Sequence, residues 1–381
     1  MGLTLFDYIC YIEMSGFMKQ TTEPMTFLRS LSKYRAPLMA LAIIGVLFSH
    51  LNADFGWFPL NRLAALGYGG VDIFFFLSGF GLFYSYRHDP SPLRFYRKRL
   101  GRIFPAFIVV ILIEEYVRRG GFELERFLKL SSSLGYWFPH SWGWHYEAWF
   151  VSAILALYLV FPLFYKWMKR WPRAAVWGGI LIGLCLVGAY TYTFVVAYPG
   201  KWNGQILFYA RIPIFFLGVA AARLSMIDRK IPLMRSRAWS IGLVVAAIVG
   251  FMILDYLFSM VNHRRLQAWG LLYFPFVMIV PGLCLCVSMA LDKLPRFATK
   301  LLSSVGGITL EAYLLMGCMY SFKPSFVKFA GGDGALGSLL MLIATLVAAW
   351  ILHQLLSPVT AYLSGKSKRR NKNLVKSDHN S

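Results

Sequence analysis

Long apolar runs separated by short polar connectors dominate the pattern along this chain of 381 residues. The runs are continuous and close to twenty residues long, which predicts membrane-crossing helices, whereas the strands of a membrane barrel would alternate apolar and polar residues. A helix also satisfies its own backbone hydrogen bonds inside lipid. The pattern therefore predicts an all-α polytopic bundle of about ten transmembrane helices. The predicted spans are residues 37–55, 64–86, 103–118, 147–166, 174–197, 205–226, 238–260, 267–290, 297–322 and 335–363.

Composition and charge agree with a membrane protein. Hydrophobic residues make up 58% of the chain and charged residues only 15%, against about 25% charged in a soluble domain. The net charge of +22 comes mainly from basic residues in the connectors. With the N-terminus in the cytoplasm, 28 of the 39 Lys and Arg residues fall in cytoplasmic segments and 10 in outer ones. This bias predicts a multi-pass protein of the cell (inner, cytoplasmic) membrane, with both termini cytoplasmic, contacts to anionic membrane lipids and no nucleic-acid partner.

The expected domain organisation has three parts. Residues 1–33 form an N-terminal cytoplasmic or interfacial segment, residues 34–363 the transmembrane domain, and residues 364–381 a basic, disordered cytoplasmic tail. The N-terminal segment has no basic region at its start and contains Asp7 and Glu13, so it does not resemble a signal peptide. The five cysteines have neither zinc-site nor disulfide spacing, and no metal is expected.

Ionisable residues inside the predicted spans are the first functional candidates, because each charge at the bilayer centre costs about 2.5–3.5 kcal/mol on insertion scales. His50 ends the first apolar run and is either an interfacial residue or a general base. Asp72 makes a structural hydrogen bond to a neighbouring helix, orients an imidazole or binds a cationic partner. Arg211 cannot be neutralised. Glu311 is its best partner among the acids of the spans, and a structural Arg211–Glu311 pair and a substrate contact both remain open.

Two clusters outside the span centres add candidate chemistry. The stretch LRFYRKRLGRIFP, on the cytoplasmic side, either anchors lipid headgroups or cradles phosphate. It places five basic residues within nine positions: Arg94, Arg97, Lys98, Arg99 and Arg102. The stretch GYWFPHSWGWHYEAWF is predicted to lie outside, where its rings form an interfacial belt or a platform for sugars. Glu147 and Trp149 are its substrate or structural candidates.

In their order and spacing, six stretches resemble those of membrane-bound acyltransferase family 3, whose members O-acetylate sugars and related hydroxyl compounds. They are YRAPLMALAIIGVLFSH, GYGGVDIFFFLSGFGLFYS, FYRKRLGRIFP, EAWFVSAILALYLVFPLFY, ARIPIFFLG and GGITLEAYLL. The resemblance runs from about Tyr34 to about Leu363 and implies a ten-helix domain, an acyl-CoA donor that enters from the cytoplasm, usually acetyl-CoA, and a hydroxyl acceptor. It implies the catalytic histidine at His50. It implies the basic motif at Arg97, Arg99 and Arg102.

Two positions depart from the family pattern. Many members have an arginine eleven residues before the histidine, where this chain has Met39, and Arg35 lies one turn earlier. In an unbroken helix, Arg35 and His50 are about 22 Å apart along the axis. Arg35 is therefore better placed to hold a CoA phosphate than to assist His50. Many members also have a histidine near the end of YLL, where this chain has Met316.

The hypothesis is an integral-membrane O-acyltransferase that moves an acyl group, acetyl by expectation, from acyl-CoA to a hydroxyl of a carbohydrate or cell-envelope polysaccharide. His50 accepts the hydroxyl proton and Asp72 sets the tautomer of the imidazole, while the four arginines hold CoA phosphates. An acyl-histidine intermediate remains an alternative. A transporter or flippase for a glycan or lipid-linked substrate explains the helices and the intramembrane charges equally well, but it does not require His50 or the arginine cluster. A non-catalytic scaffold does not explain several costly buried charges.

Overall fold

The computed structural model describes residues 27–138, 149–193, 204–227, 237–260, 266 and 269–365. The regular structure of these residues is helical. Their α-helices, in chain order, are α1 Phe27–Lys33, α2 Arg35–His50, α3 Phe58–Leu66, α4 Gly70–His88, α5 Pro92–Arg119, α6 Leu124–Ser131, α7 Trp149–Arg170, α8 Pro172–Thr191, α9 Ile206–Tyr209, α10 Ile212–Ile227, α11 Arg237–Ser259, α12 Pro275–Asp292, α13 Arg296–Gly307, α14 Thr309–Tyr320, α15 Lys323–Phe329 and α16 Gly334–Leu363. Short 3-10 turns at Gly67–Gly69 and Leu271–Tyr273 precede α4 and α12.

Seven helical segments in the described part of the chain are long and apolar enough to cross a membrane, or eight if α13 and α14, which are interrupted at Ile308, form one span. The seven are Phe58–His88, Trp149–Arg170, Pro172–Thr191, Ile206–Met226, Ala238–Ser259, Leu271–Asp292 and Gly334–Leu363. The other two predicted spans are also helices, but α2 has only 16 residues and α5 has the basic motif in its first turns. The prediction of an all-α polytopic membrane protein is confirmed.

Local sequence determines where the two longest helices begin. The hydroxyl of Ser91 accepts a backbone N–H from the first turn of α5, and Pro92 occupies that turn, where its missing N–H costs nothing. Gly120, with φ of 68°, ends α5 in the left-handed conformation that glycine adopts easily. The carboxylate of Asp333 accepts two backbone N–H groups at the start of α16, at 2.8 and 2.9 Å. Of these two helices, α16 lines the cavity described below, and α5 has the basic motif in its first turns.

The chain divides into two compact units. Unit 1 comprises the residues up to Val46, Ala65–Tyr84 and Trp167–Gly307; unit 2 comprises Leu47–Ala64, Ser85–Lys166 and the residues from Ile308 onward. In unit 1, α11 packs on α12, α8 packs on α10, and α1 contacts both α10 and α12. In unit 2, α5, α14 and α16 pack against one another in all three pairs, and α15 packs on α16. This three-helix group forms the core of unit 2.

Glycines allow α4 to lie close to two other helices of unit 1. A Cβ on Gly70 would lie 2.3 Å from the carbonyl oxygen of Ala42 in α2. A Cβ on Gly79 would lie 2.1 Å from the carbonyl oxygen of Phe215 in α10. Small residues at helix crossings are typical of membrane proteins, where close backbone packing replaces the hydrophobic effect as the force between helices.

Candidate active site

His50 is the last residue of α2 and belongs to unit 2. Its side chain is half-buried, and its Nδ1 atom lies 3.1 Å from the hydroxyl oxygen of Ser49. The imidazole lines a small cavity. The other lining residues are Leu47, Leu51, Met316, Tyr320, Met341, Leu342 and Thr345. The cavity thus joins the end of α2 to α14 and α16, and its walls are mainly apolar.

A turn held by Lys323 ends α2 directly after His50. Asn52 has φ of 46°, a left-handed conformation that asparagine tolerates better than most residues, so the helix cannot continue to residue 55 as predicted. The ammonium group of Lys323 donates to the carbonyl oxygens of Leu51 and Asn52, the latter at 3.1 Å. The amide of Asn52 donates to the hydroxyl of Tyr320 at 3.2 Å. Contacts from α14 and α15 therefore determine where the imidazole is presented.

The loop after α2 is organised by Asp54. Its carboxylate accepts the backbone N–H of Gly56 at 2.9 Å and the side-chain amide of Asn61 at 2.5 Å. The Gly56 N–H, followed by the Asn61 amide, holds the pKa of the Asp54 carboxyl below its usual range, because both donors stabilise the anion. Asp54 is therefore ionised at neutral pH and links the backbone of the loop to the first turn of α3.

Sequence reasoning missed the polar residues around His50. Ser49 precedes His50 on α2, whereas Tyr320, Lys323 and Thr345 come from α14, α15 and α16, and only the tertiary structure brings these three to the end of α2. Met316 is the position at which the family resemblance placed a histidine. The structure places Met316 in the wall of the His50 cavity.

A second histidine lies in unit 2, paired with Glu311. The Nδ1 atom of His353 in α16 lies 2.8 Å from Oε1 of Glu311 in α14, and Glu311 is only 7% exposed. The other carboxylate oxygen, Oε2, is buried and has no hydrogen-bond partner within the described residues. The sequence hypotheses omit His353. The sequence could have pointed to His353, because it is the single histidine in the run Gly334–Leu363, which has no Asp, Glu, Lys or Arg.

Asp72 and Arg211 form a buried ion pair in unit 1, so Arg211 is the cationic partner of Asp72, and the alternatives of a Glu311 pair or a substrate contact for Arg211 stay predictions. Asp72 is 0% and Arg211 2% exposed, and Oδ1 lies 3.5 Å from Nε. Arg211 occupies the break between α9 and α10, where Nη1 donates to the carbonyl oxygen of Leu207 at 2.9 Å. The guanidinium also lies 4.2 Å from the centre of the Tyr273 ring. The proposed help of Asp72 to His50 stays a prediction.

Asp89 pairs with Arg94 and Lys98 at the start of α5. Arg94 lies 2.9 Å and Lys98 3.0 Å from the carboxylate of Asp89, which has 11% of its side chain exposed. Asp89 therefore offsets charge on the helix face formed by Arg94, Lys98 and Arg102. The two residues that pair with Asp89, Arg94 and Lys98, lie outside the family motif.

Two arginines of the motif, Arg97 and Arg99, have different surroundings. Arg97 is exposed, and its Nε donates at 2.9 Å to the carbonyl oxygen of Leu363, at the C-terminal end of α16, where the helix dipole favours a cation. The guanidinium of Arg99 lies 5.6 and 5.7 Å from the ring centres of Phe95 and Tyr158. The motif therefore connects α5 to the end of α16 and to an aromatic cluster.

Arg35 begins α2 in unit 1. Its Nε donates to the carbonyl oxygen of Leu77 in α4 at 3.1 Å. The helix is unbroken over its 16 residues, so about 22 Å of helix axis separates Arg35 from His50, as the sequence analysis expected. Arg35 therefore stands at the opposite end of α2 from the candidate base.

Of the two outer-loop candidates, only Trp149 lies among the described residues. It begins α7, is 6% exposed, and its ring lies 6.4 Å from that of Tyr136. Its indole is therefore packed inside unit 2 rather than presented as a flat exposed surface. Glu147 and the centre of the aromatic loop lie outside the described residues, so the platform hypothesis stays a prediction.

The sequence profile of the acyltransferase domain family matches residues 38–354, which include the His50 cavity and most of the helices. The chain belongs to this acyltransferase family. Together with the apolar helices, this membership identifies a multi-pass membrane protein. The profile begins after Arg35 and includes His50, Glu311 and His353.

Two curated relatives give partial matches. The protein named acyltransferase MdmB, from Streptomyces mycarofaciens, is 28% identical over 185 residues, which cover 43% of this acyltransferase-family chain and 48% of the relative. Nodulation protein 10 of Rhizobium leguminosarum bv. viciae is 27% identical over 157 residues, 35% of this chain and 42% of the relative. The chain spans less than half the length of either relative. No solved structure gives a significant match to it.

Proposed function

We propose that this acyltransferase-family protein is an integral-membrane O-acyltransferase. It transfers acetyl from acetyl-CoA to a hydroxyl of a carbohydrate, such as a cell-envelope polysaccharide, in the inner membrane. The observation that carries the proposal is the setting of His50. An imidazole stands at a helix end, beside a mainly apolar cavity, within the segment that the acyltransferase profile matches. Family membership supports acyl transfer, and the acetyl donor and carbohydrate acceptor are parts of the proposal.

His50 acts as the general base in this reaction. When Nδ1–H is donated to Ser49 Oγ, Nε2 holds the lone pair that accepts the proton of the acceptor hydroxyl. The hydroxyl oxygen forms a bond to the thioester carbonyl carbon, and the bond from that carbon to sulfur breaks. The imidazolium then returns the proton to the CoA sulfur. The products are an ester and a free thiol, so the histidine is restored.

Arginines hold the phosphates of the donor. The guanidinium fork matches two phosphate oxygens, and this match supports Arg97, Arg99, Arg102 and Arg35 as ligands. Asp89 pairs with Arg94 and Lys98, the two basic residues of this cluster that lie outside the motif. The positive charge bias predicts that this motif lies on the cytoplasmic side, where acetyl-CoA is available.

The test is acetyl transfer by the purified protein in proteoliposomes, with radiolabelled acetyl-CoA and envelope polysaccharide. Replacement of His50 by Ala or Gln is expected to lower kcat at least 100-fold, because general-base catalysis contributes about 10²–10⁴-fold. The control is His88→Ala, since His88 also ends a helix but is exposed. It should retain the parental rate.

Two outcomes would contradict the proposal. A folded His50→Ala protein with the parental rate would remove the base from the mechanism. Movement of a labelled glycan across the membrane, without acetyl transfer under any condition, would favour the transporter alternative instead.

A further inference from the structure

The side chain of Arg35 lies flat on the backbone of Gly81. A Cβ built on Gly81 would lie 2.4 Å from both Cζ and Nη2 of Arg35 and 2.5 Å from Nη1. A point in the guanidinium plane that is equally close to these three atoms lies only one C–N bond length, about 1.3 Å, from each. Since all three distances are much longer, the point lies above the plane, and the face of the guanidinium covers the glycine. Its Nε donates to the carbonyl oxygen of Leu77, one turn earlier on the same helix. Gly81 and Leu77 together form a seat for Arg35 on α4.

This seat exists only because residue 81 has no side chain. Real Cβ atoms do not approach other heavy atoms to 2.4 Å, so any other residue at position 81 must push the guanidinium away. The guanidinium is the far end of a flexible side chain, and it can move without any shift of the backbone. A Gly81→Ala substitution therefore displaces Arg35 and leaves the helix packing in place.

The backbone next to Arg35 is held independently. Lys33 pairs with Asp292 at 2.7 Å, and the hydroxyl of Tyr34 donates to the same carboxylate. Both contacts lie in unit 1 and involve α12 rather than α4. The start of α2 thus stays in place when the seat is altered, and only the direction of the arginine side chain changes.

We propose that Gly81 is a positioning residue for the acyl donor, because it orients Arg35 so that Nη1 and Nη2 bind a phosphate of acyl-CoA. This inference rests on the proposed function. Arginine binds phosphate strongly when its planar fork presents two N–H groups in a fixed direction. In this chain Met39 occupies the position at which many family members have arginine, and Arg35 lies one turn earlier. The seat at Gly81 gives the displaced arginine a defined orientation.

A double-mutant cycle tests the coupling between the two residues. Gly81→Ala is expected to raise the KM for acetyl-CoA about tenfold, as for loss of one charge-assisted contact, and to change kcat less than about twofold. Arg35→Ala should raise the KM at least as much. In the Arg35→Ala background, Gly81→Ala should have no further effect. S-acetylpantetheine, a donor without phosphates, should be used equally by the parent and Gly81→Ala proteins.

The matched control is Gly188→Ala in α8. Gly188 is also a helical glycine, and a Cβ there would meet nothing within 4 Å. This variant reports the general effect of alanine on helix stability and should keep the parental KM.

The inference is overturned if Gly81→Ala raises the KM equally with and without Arg35, or equally for S-acetylpantetheine. It is also overturned if Gly81→Ala leaves the KM for acetyl-CoA unchanged. These results differ from a failure of the proposed function, which would appear as an absence of acetyl transfer in the parent or as full activity of His50→Ala.

Discussion

A buried pair of opposite charges imposes the strongest constraint at the scale of single residues. Asp72 and Arg211 are almost wholly inside unit 1, and neither charge reaches water. Removal of one partner from such a pair leaves an uncompensated charge in a medium of low dielectric constant. The pair therefore binds α4 to the break before α10, and this role is distinct from any help that Asp72 gives to His50.

Asp72→Asn is expected to lower the free energy of unfolding by about 3–5 kcal/mol, since Arg211 loses its counter-charge. Thermal unfolding of the detergent-solubilised protein measures this loss as a lower Tm. An Asp72→Leu, Arg211→Met double variant should recover most of the Tm, because it removes both charges. Asp72→Asn with the parental Tm and a strongly reduced kcat would instead support the predicted role in setting the His50 tautomer.

At the scale of helices, α2 has a candidate functional residue at each end: Arg35 at the first position and His50 at the last. Its first residue rests on α4, and its last residue lines the cavity formed with α14 and α16. The turn after His50 is held by Lys323, the first residue of α15. A cation at a helix C-terminus is favourable because it binds carbonyl groups that lack helical partners. The position of the imidazole thus depends on a helix more than 270 residues later in the chain.

Lys323→Met keeps the aliphatic stem and removes the donor to Leu51 and Asn52. We expect kcat for acetyl transfer to fall about tenfold, since a hydrogen bond from a charged group is worth about 1.5–3 kcal/mol and its loss loosens the turn at His50. The KM for acetyl-CoA should not change. Lys328→Met, at the exposed end of the same helix, serves as the control. An unchanged kcat in Lys323→Met would show that the turn holds without the lysine.

At the scale of the whole molecule, charge distribution predicts orientation in the membrane. The cytoplasmic segments of the predicted topology contain 28 of the 39 basic residues. Helix α5 is the best element on which to test this topology. Its first turns are too basic for it to count as an apolar span, yet its 28 residues extend about 42 Å. Such a length is sufficient to cross a bilayer, with the basic turns left in the headgroup region.

Single cysteines at the two ends of α5, introduced into a protein without its native cysteines, test the orientation. Leu93, in the first turn of α5, and Phe122, three residues after its end, are both exposed in the structure. A membrane-impermeant maleimide should label Phe122→Cys in intact cells and Leu93→Cys only after permeabilisation. Labelling of both in intact cells would mean that α5 does not cross the membrane, and the reverse pattern would invert the topology.

Much of the fold follows from the sequence because the bilayer allows so few solutions. Apolar runs in lipid must form helices, and helices occur at the positions of all ten predicted spans within the described part of the chain. Boundaries were less predictable. The hydropathy pattern predicts a first span that reaches residue 55, but the left-handed Asn52 and the Lys323 contacts end the helix at His50. A hydropathy pattern cannot report either effect, because both depend on local backbone strain and on a distant side chain.

The sequence by itself determined the helical membrane architecture, the basic connectors and the acyltransferase resemblance centred on His50, since these depend on residue type and order along one chain. Only the tertiary structure decided the partners of the buried charges. Glu311 contacts His353, and Arg211 pairs with Asp72, because such contacts depend on which helix faces meet, and helix faces meet across tens or hundreds of residues. The seat of Arg35 on Gly81 is of the same kind: a glycine in a sequence gives no indication of which side chain will occupy the space that it leaves.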